Sequence, residues 1–103
     1  MKVSEFVAQV RDVLSGHWTQ GRYKNEHTGD VCILSGCERV TLYNIAEQDI
    51  VPTAARAVKA INKKTHEMHN VSIIPFNDDD DTNHQDVLNL LDKTVIGLEE
   101  RGE

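Results

Sequence analysis

Apolar positions recur at helical spacing at both ends of the chain. Val3, Phe6, Val7, Val10, Val13 and Leu14 fall on one side of a helical projection, with Lys2, Glu5, Gln9, Arg11 and Asp12 on the others. This pattern predicts a first amphipathic helix ending at Ser15-Gly16, because glycine is the usual residue just past a helix C-terminus. Val87, Leu88, Leu91, Val95 and Leu98 predict a closing helix in the same way. Thr82-Asn83-His84-Gln85 stands before it as a capping box, with Thr82 accepting from one free backbone N–H and Gln85 reaching back to another. The run Asp78 to Asp81 then lies at the positive end of the helix dipole. Burying the five apolar side chains of this helix contributes on the order of 10 kcal/mol, an upper bound before entropy.

The middle of the chain is less regular. Thr28-Gly29-Asp30 is a turn signal, so Tyr23 and Val31 to Leu34 could pair as short strands across it. Ile33, Leu34, Cys37, Val40 and Thr41 also have helical spacing, which argues that Val31 leads directly into a second helix. Gly36 inside that helix costs about 1 kcal/mol relative to alanine, and such a glycine often marks a close approach to the backbone. The pattern over Tyr43 to Val51 fits neither element. Pro52 suits the first turn of a third helix. Ala54, Ala57, Val58 and Ile61 form its narrow apolar stripe, with Arg56, Lys59, Lys63 and Lys64 on the other side. Val71 to Ile74 reads as a short strand ended by Pro75. Together these elements predict an α+β fold, one helix-rich domain over residues 1–103 with three or four helices and a minor β element. Its tail, 99–103, is expected to fray.

Composition narrows the class. At 103 residues, 39% apolar and 27% charged, the chain has room for one core and lacks the profile of a disordered one. One Trp, two Tyr and two Phe leave that core to Val, Ile, Leu and Ala. A formal net charge of −6 disfavours nucleic acid as a default partner and suits a basic protein surface, or no partner at all. There is no apolar run near the ~20 residues of a membrane span, so no membrane association is expected. The N-terminus lacks the basic start and apolar stretch of a signal peptide. Cys32 and Cys37 are too few for a disulfide framework and read as free thiols, which points to the cytoplasm.

The reactive side chains make no complete catalytic or metal set. On one helix Cys32 and Cys37 would be about 140° apart, and their spacing is not that of a zinc half-site. Cys32 at a helix N-terminus could act as a nucleophile with His17 as its base, although buried free cysteine is the commoner fate. His66 and His69 would share a helix face, but no zinc pattern is completed around them. The Asp78 to Asp81 run fails as an EF-hand, since Asn83 and Asn89 stand where the loop needs Gly and Glu. Accordingly no metal and no cofactor are expected. Arg56, Lys59, Lys63 and Lys64 could meet phosphate, but a solvated helix face explains four cations on an acidic chain better.

Several segments in order resemble an uncharacterised family of small actinobacterial and actinobacteriophage proteins. They are Trp18-Thr19-Gln20-Gly21, Gly29-Asp30-Val31-Cys32-Ile33-Leu34-Ser35-Gly36, the Ala-rich third helix, Phe76-Asn77-Asp78, and Asp86-Val87-Leu88-Asn89-Leu90-Leu91-Asp92. The likeness runs from about Trp18 to Asp92. Phe76 stands where the family pattern has Trp, and Cys37 where it has Ala. The resemblance implies a single compact fold and no particular activity. Through its phage members it implies a host-directed role, by analogy alone. It also draws attention to Trp18, Cys32, Asn77 and Asp78, which the fold could bring together either as core and turn residues or as a ligand site.

The leading expectation is a non-enzymatic protein-binding module, phage-encoded and directed at a host or cellular protein. Its candidate binding residues are Trp18, Asn77, Asp78, Arg56, Lys59 and Lys63. A small thiol-dependent hydrolase or transferase using Cys32 and His17 is one alternative. A nucleic-acid-associated role for the basic face of the third helix is the other. A core this poor in aromatics also leaves room for a homodimer, which would bury more apolar area.

Overall fold

Helix α1 (Val3–Gly16) is the element on which the rest of the chain packs. The computed structural model describes residues 1–103. Phe6, Val7, Val10 and Leu14 of α1 are completely buried, as their spacing predicts, and meet α5, α2 and α3. A short antiparallel hairpin follows: β1 (Lys24–Asn25) and β2 (Asp30–Val31) pair across a turn closed by Gly29 N–H donating to Asn25 O at 2.8 Å. Gly29 takes a φ of 79°, which glycine reaches without Cβ strain.

Helix α2 (Ile33–Tyr43) begins two residues after β2. Val31 therefore ends a strand and Cys32 caps a helix, so both readings of this segment hold in part. Gly36 faces α1, where an added Cβ would sit 3.4 Å from the Leu14 side chain and 3.6 Å from Val10. The glycine is the place where α1 and α2 approach.

Helix α3 (Ile50–His69) is the longest and α4 (Ile73–Asp78) the shortest. The strand expected over Val71 to Ile74 is absent. Ser72 is instead the N-cap of α4, and Pro75 is its third residue. The first N–H groups of a helix have no intrahelical acceptor, so a proline there sacrifices no bond. Pro52 occupies the equivalent third position of α3. Ile73 N–H, another of those orphans, donates to Asn62 Oδ1 on α3 at 3.2 Å. Asn70 closes α3 in the left-handed region at φ 60°, a conformation asparagine tolerates.

Helix α5 (His84–Glu100) packs against α1 and α3. Its capping box lies one residue later than expected. Asp86 N–H donates to Asn83 Oδ1 at 2.8 Å, and Asn83 N–H donates to Asp86 Oδ2 at 3.0 Å. Thr82 is taken up by a turn, its own N–H donating to Asp79 O at 2.9 Å. On α5 the buried apolar set is Val87, Leu90, Leu91 and Leu98, with Leu88 and Val95 only half-buried against them. Residues 99–103, expected to fray, carry four backbone bonds at the helix end: Arg101 and Glu103 N–H donate to Leu98 O, Gly102 N–H to Glu99 O, and Ser4 N–H to Glu103 O.

The chain is thus an α+β fold with five helices, not three or four, and one two-stranded sheet. Eighteen buried residues from α1, β2, α2, α3, α4 and α5 form one core cluster. Thr65 and Thr94 are buried as well, and each donates its hydroxyl to the carbonyl four residues back, Ile61 O and Leu90 O. No helix is long and apolar enough to cross a membrane.

Candidate functional site

Trp18, Cys32, Asn77 and Asp78 come from separate segments and meet at one place. Asn77, on the last turn of α4, is buried and uses its whole amide. Its Oδ1 accepts from Trp18 Nε1 at 3.0 Å and from Ile33 N–H at 3.1 Å. Its Nδ2 donates to Thr19 O at 3.1 Å and to Asp78 Oδ1 at 2.9 Å. Asp78 Oδ1 also accepts from Gly21 N–H at 2.9 Å. The Ile33 contact supplies an acceptor to the open N-terminus of α2, as Asn62 does for α4.

Gln20 reinforces the same junction. Its Nε2 lies 3.2, 2.8 and 2.9 Å from the carbonyls of Asn77, Asp79 and Thr82. Trp18 stacks on His84, with ring centroids 5.5 Å apart and planes 12° from parallel. The His84 ring in turn meets Leu14 O at the end of α1. Trp18, Gln20 and Asn77 therefore tie the segment after α1 to the α4–α5 connection. The Trp18 N–H and the Asn77 amide are spent on this frame and are not free to hold a ligand.

Beside this junction lies a recess of about 180 Å³, lined by Tyr23, Cys32, Ile33, Leu34, Ile73 and Ile74 with Gly21, Arg22, Asn77 and Asp78 at its edge. A second recess of about 350 Å³ shares Leu34, Ile73 and Ile74 with it and continues over Ala55, Val58, Lys59, Asn62 and Ser72. Side by side and sharing that wall, the two recesses make up an apolar groove region bordered by α2, α3 and α4. Ile74 is 56% exposed between them, and Val51, one turn before Ala55 on α3, is 67% exposed. Tyr23 stands at the far end with its hydroxyl bonded to Glu38, and burial followed by that bond pushes its pKa up to about 12.

The groove is only partly visible in the sequence. Helical spacing places Leu34 in the core, and the apolar run before Pro75 places Ile74 in a strand. One signal of the groove is Val51, Ala55 and Val58 at i, i+4 and i+7, a second apolar stripe on α3 turned from the core stripe of Ala57 and Ile61. The other is Ser72 followed by Pro75, a helix-start signature.

Cys32 and His17 are each engaged with another partner. Cys32 Sγ accepts from Ser35 N–H at 3.5 Å as the N-cap of α2. The His17 ring lies 3.4 Å from Asp30 Oδ1, and the two side chains share no hydrogen bond. Cys37 is buried, and desolvation, reinforced by Cys32, pushes its thiol up to about 12. Its ionised form is thus disfavoured by folding, and the reactive thiolate is scarce at pH 8. Native protein at pH 8 is expected to leave Cys37 unmodified by iodoacetamide, while unfolded protein reacts at both cysteines. Peptide mass mapping reads the result, and rapid native alkylation of Cys37 would overturn this assignment.

Of the remaining sequence candidates, Lys59 alone lines the groove. Arg56, Lys59 and Lys63 lie along α3 and make no ion pair. Lys64 is 3.0 Å from Glu67 and holds that carboxyl below the usual range. His69 stacks on Phe76 at 4.3 Å rather than facing a metal with His66. No group of three or more His, Cys, Asp or Glu side chains is arranged to hold a metal ion.

A helix-rich α+β domain with a locked polar junction beside an apolar groove is the class these observations define. The chain belongs to a family of unknown function, DUF6197, whose model matches residues 1–95. No curated protein and no solved structure matches it.

Proposed function

We propose that this protein is a protein-binding module whose partner seats in the groove between α2, α3 and α4. The observation that carries this reading is the wall of Leu34, Ile73 and Ile74 shared by two adjacent recesses, with Ile74 more than half exposed. Exposed aliphatic side chains gathered along a concave surface cost solubility, and such patches typically mark binding sites. The groove floor is held by Asn62 and Asn77 through the helix starts they cap, so it is preorganised for a partner. Trp18, Asn77 and Asp78 act in this reading as the frame of the site, while Lys59 lines it and Arg56 stands one turn before Lys59 on α3.

The finer family resemblance, to actinobacterial and phage proteins, would make the partner a host protein. The test immobilises the wild-type chain and the variant Ile74→Glu and passes a bacterial lysate over both. Because Ile74 is exposed, the variant is expected to keep its stability within about 0.5 kcal/mol. At least one protein is expected to be retained by wild type and lost, by about tenfold or more, by the variant. Identical retention on the two columns would remove the groove from the function.

A further inference from the structure

We infer that the partner segment is a short amphipathic helix carrying acidic side chains beside its apolar face. This deepens the proposed function and rests on it. Apart from Gly21, Arg22, Tyr23 and Cys32 in the first recess, the groove is lined by α2, α3, α4 and the Ser72 cap, whose backbone groups are largely paired within the helices and give an extended strand no ladder along most of its length. A helix brings its own backbone bonds satisfied. It presents apolar side chains at i and i+3 or i+4, close enough to enter two neighbouring recesses that share Leu34, Ile73 and Ile74.

The charges at the groove select the sign of the partner. Lys59 lines the second recess and Arg22 the first, and Arg56 lies one turn before Lys59 on α3. None of the three makes an ion pair within the chain. The only carboxylate among the lining residues is that of Asp78, and it already accepts from Gly21 N–H and Asn77 Nδ2. Arg22 and Lys59 against the single anion Asp78 leave the lining positive by one charge on a chain of net charge −6, with Arg56 nearby on α3 and Glu38 held beside Tyr23 at the opposite end. Acidic side chains on the partner complement it, and basic ones would be repelled.

The experiment screens a random library of displayed 16-residue peptides against the immobilised full chain. Enriched peptides are expected to carry apolar residues at i, i+3 or i+4 and i+7, with an excess of Asp and Glu. A synthetic peptide of the winning sequence should lose tenfold or more in affinity to Ile74→Glu. Against Lys59→Glu it should lose about threefold to tenfold, a difference that shrinks in high salt. Enriched apolar peptides without acidic bias, still lost to Ile74→Glu, would overturn the acidic partner while leaving the groove intact as a site. Failure to enrich any peptide sensitive to Ile74, or light scattering showing self-association through Ile74, would overturn the helical partner. The lysate comparison decides separately whether the groove binds protein at all.

Discussion

Asn77→Ala is expected to destabilise the fold by about 2–4 kcal/mol, since it strands one buried and two part-buried polar groups, a buried one costing roughly 1–3 kcal/mol when left unpaired. The wild-type amide satisfies Trp18 Nε1, Ile33 N–H and Thr19 O at once, and the residue is 1% exposed. Alanine removes the shared partner of all three and leaves no nearby side chain to replace it, because Gln20 is already engaged with backbone carbonyls. Asn77→Asp gives a sharper version of the test. It keeps both acceptor contacts but turns the Nδ2 donor into an oxygen facing Thr19 O and the Asp78 carboxylate. Two carboxylates sharing one proton are tolerated; two ionised ones repel. That repulsion makes the introduced carboxyl hold its proton more tightly in the fold than in the unfolded chain. Its folded pKa is therefore raised, and the variant loses stability as pH climbs from the ordinary carboxyl range through that raised value. It should recover part of the loss below about pH 4, where the unfolded carboxyl is protonated too. Urea denaturation followed by the single tryptophan measures both variants. A loss below about 1 kcal/mol for Asn77→Ala would show that the junction is not held by this amide.

The junction and the groove differ in how far the chain announces them. Trp18, Cys32, Asn77 and Asp78 can be named as a set from the order of short segments, and the fold does place them together. Nothing in the spacing says that Asn77 spends its whole amide on the frame, because its partners lie 44 to 59 residues away in the chain apart from Asp78. Helices α1 and α5 are legible because burial on one face imposes a period that one sequence can display. Helix α4 is not, because six residues are too short to show a period, and a β-branched pair before proline imitates a strand. Its helical state is decided by tertiary contacts, with Asn62 capping its first N–H and Ile73 and Phe76 buried in the core. The apolar positions along α3 likewise leave open which of its two stripes meets the core. The placement of α4 beside Ala55 and Val58 decides it.

Phe6→Ala is expected to cost stability of a different kind, about 3–5 kcal/mol, by opening a cavity at the centre of the core. Phe6 is among the largest side chains that are completely buried, and the core around it is mainly aliphatic. Three of the buried residues on the same helix, Val3, Val7 and Val10, are β-branched and held to few rotamers, so they cannot swing into the vacated space. The packing of α1 against α5, α2 and α3 at once also prevents any single helix from settling inward without losing contacts to the others. For a domain of this length the loss corresponds to a fall in Tm on the order of 15–30 °C, against a total stability of roughly 5–15 kcal/mol. Leu42→Ala provides the contrast, because Leu42 is 60% exposed and should change Tm by no more than a few degrees. The two losses also separate the roles of core and junction: Phe6→Ala removes contacts that are indifferent to pH, whereas Asn77→Asp is sensitive to it. Calorimetry at pH 4 and pH 7 distinguishes them, and a Phe6→Ala loss below about 1.5 kcal/mol would mean that the helices around α1 can close over a missing ring.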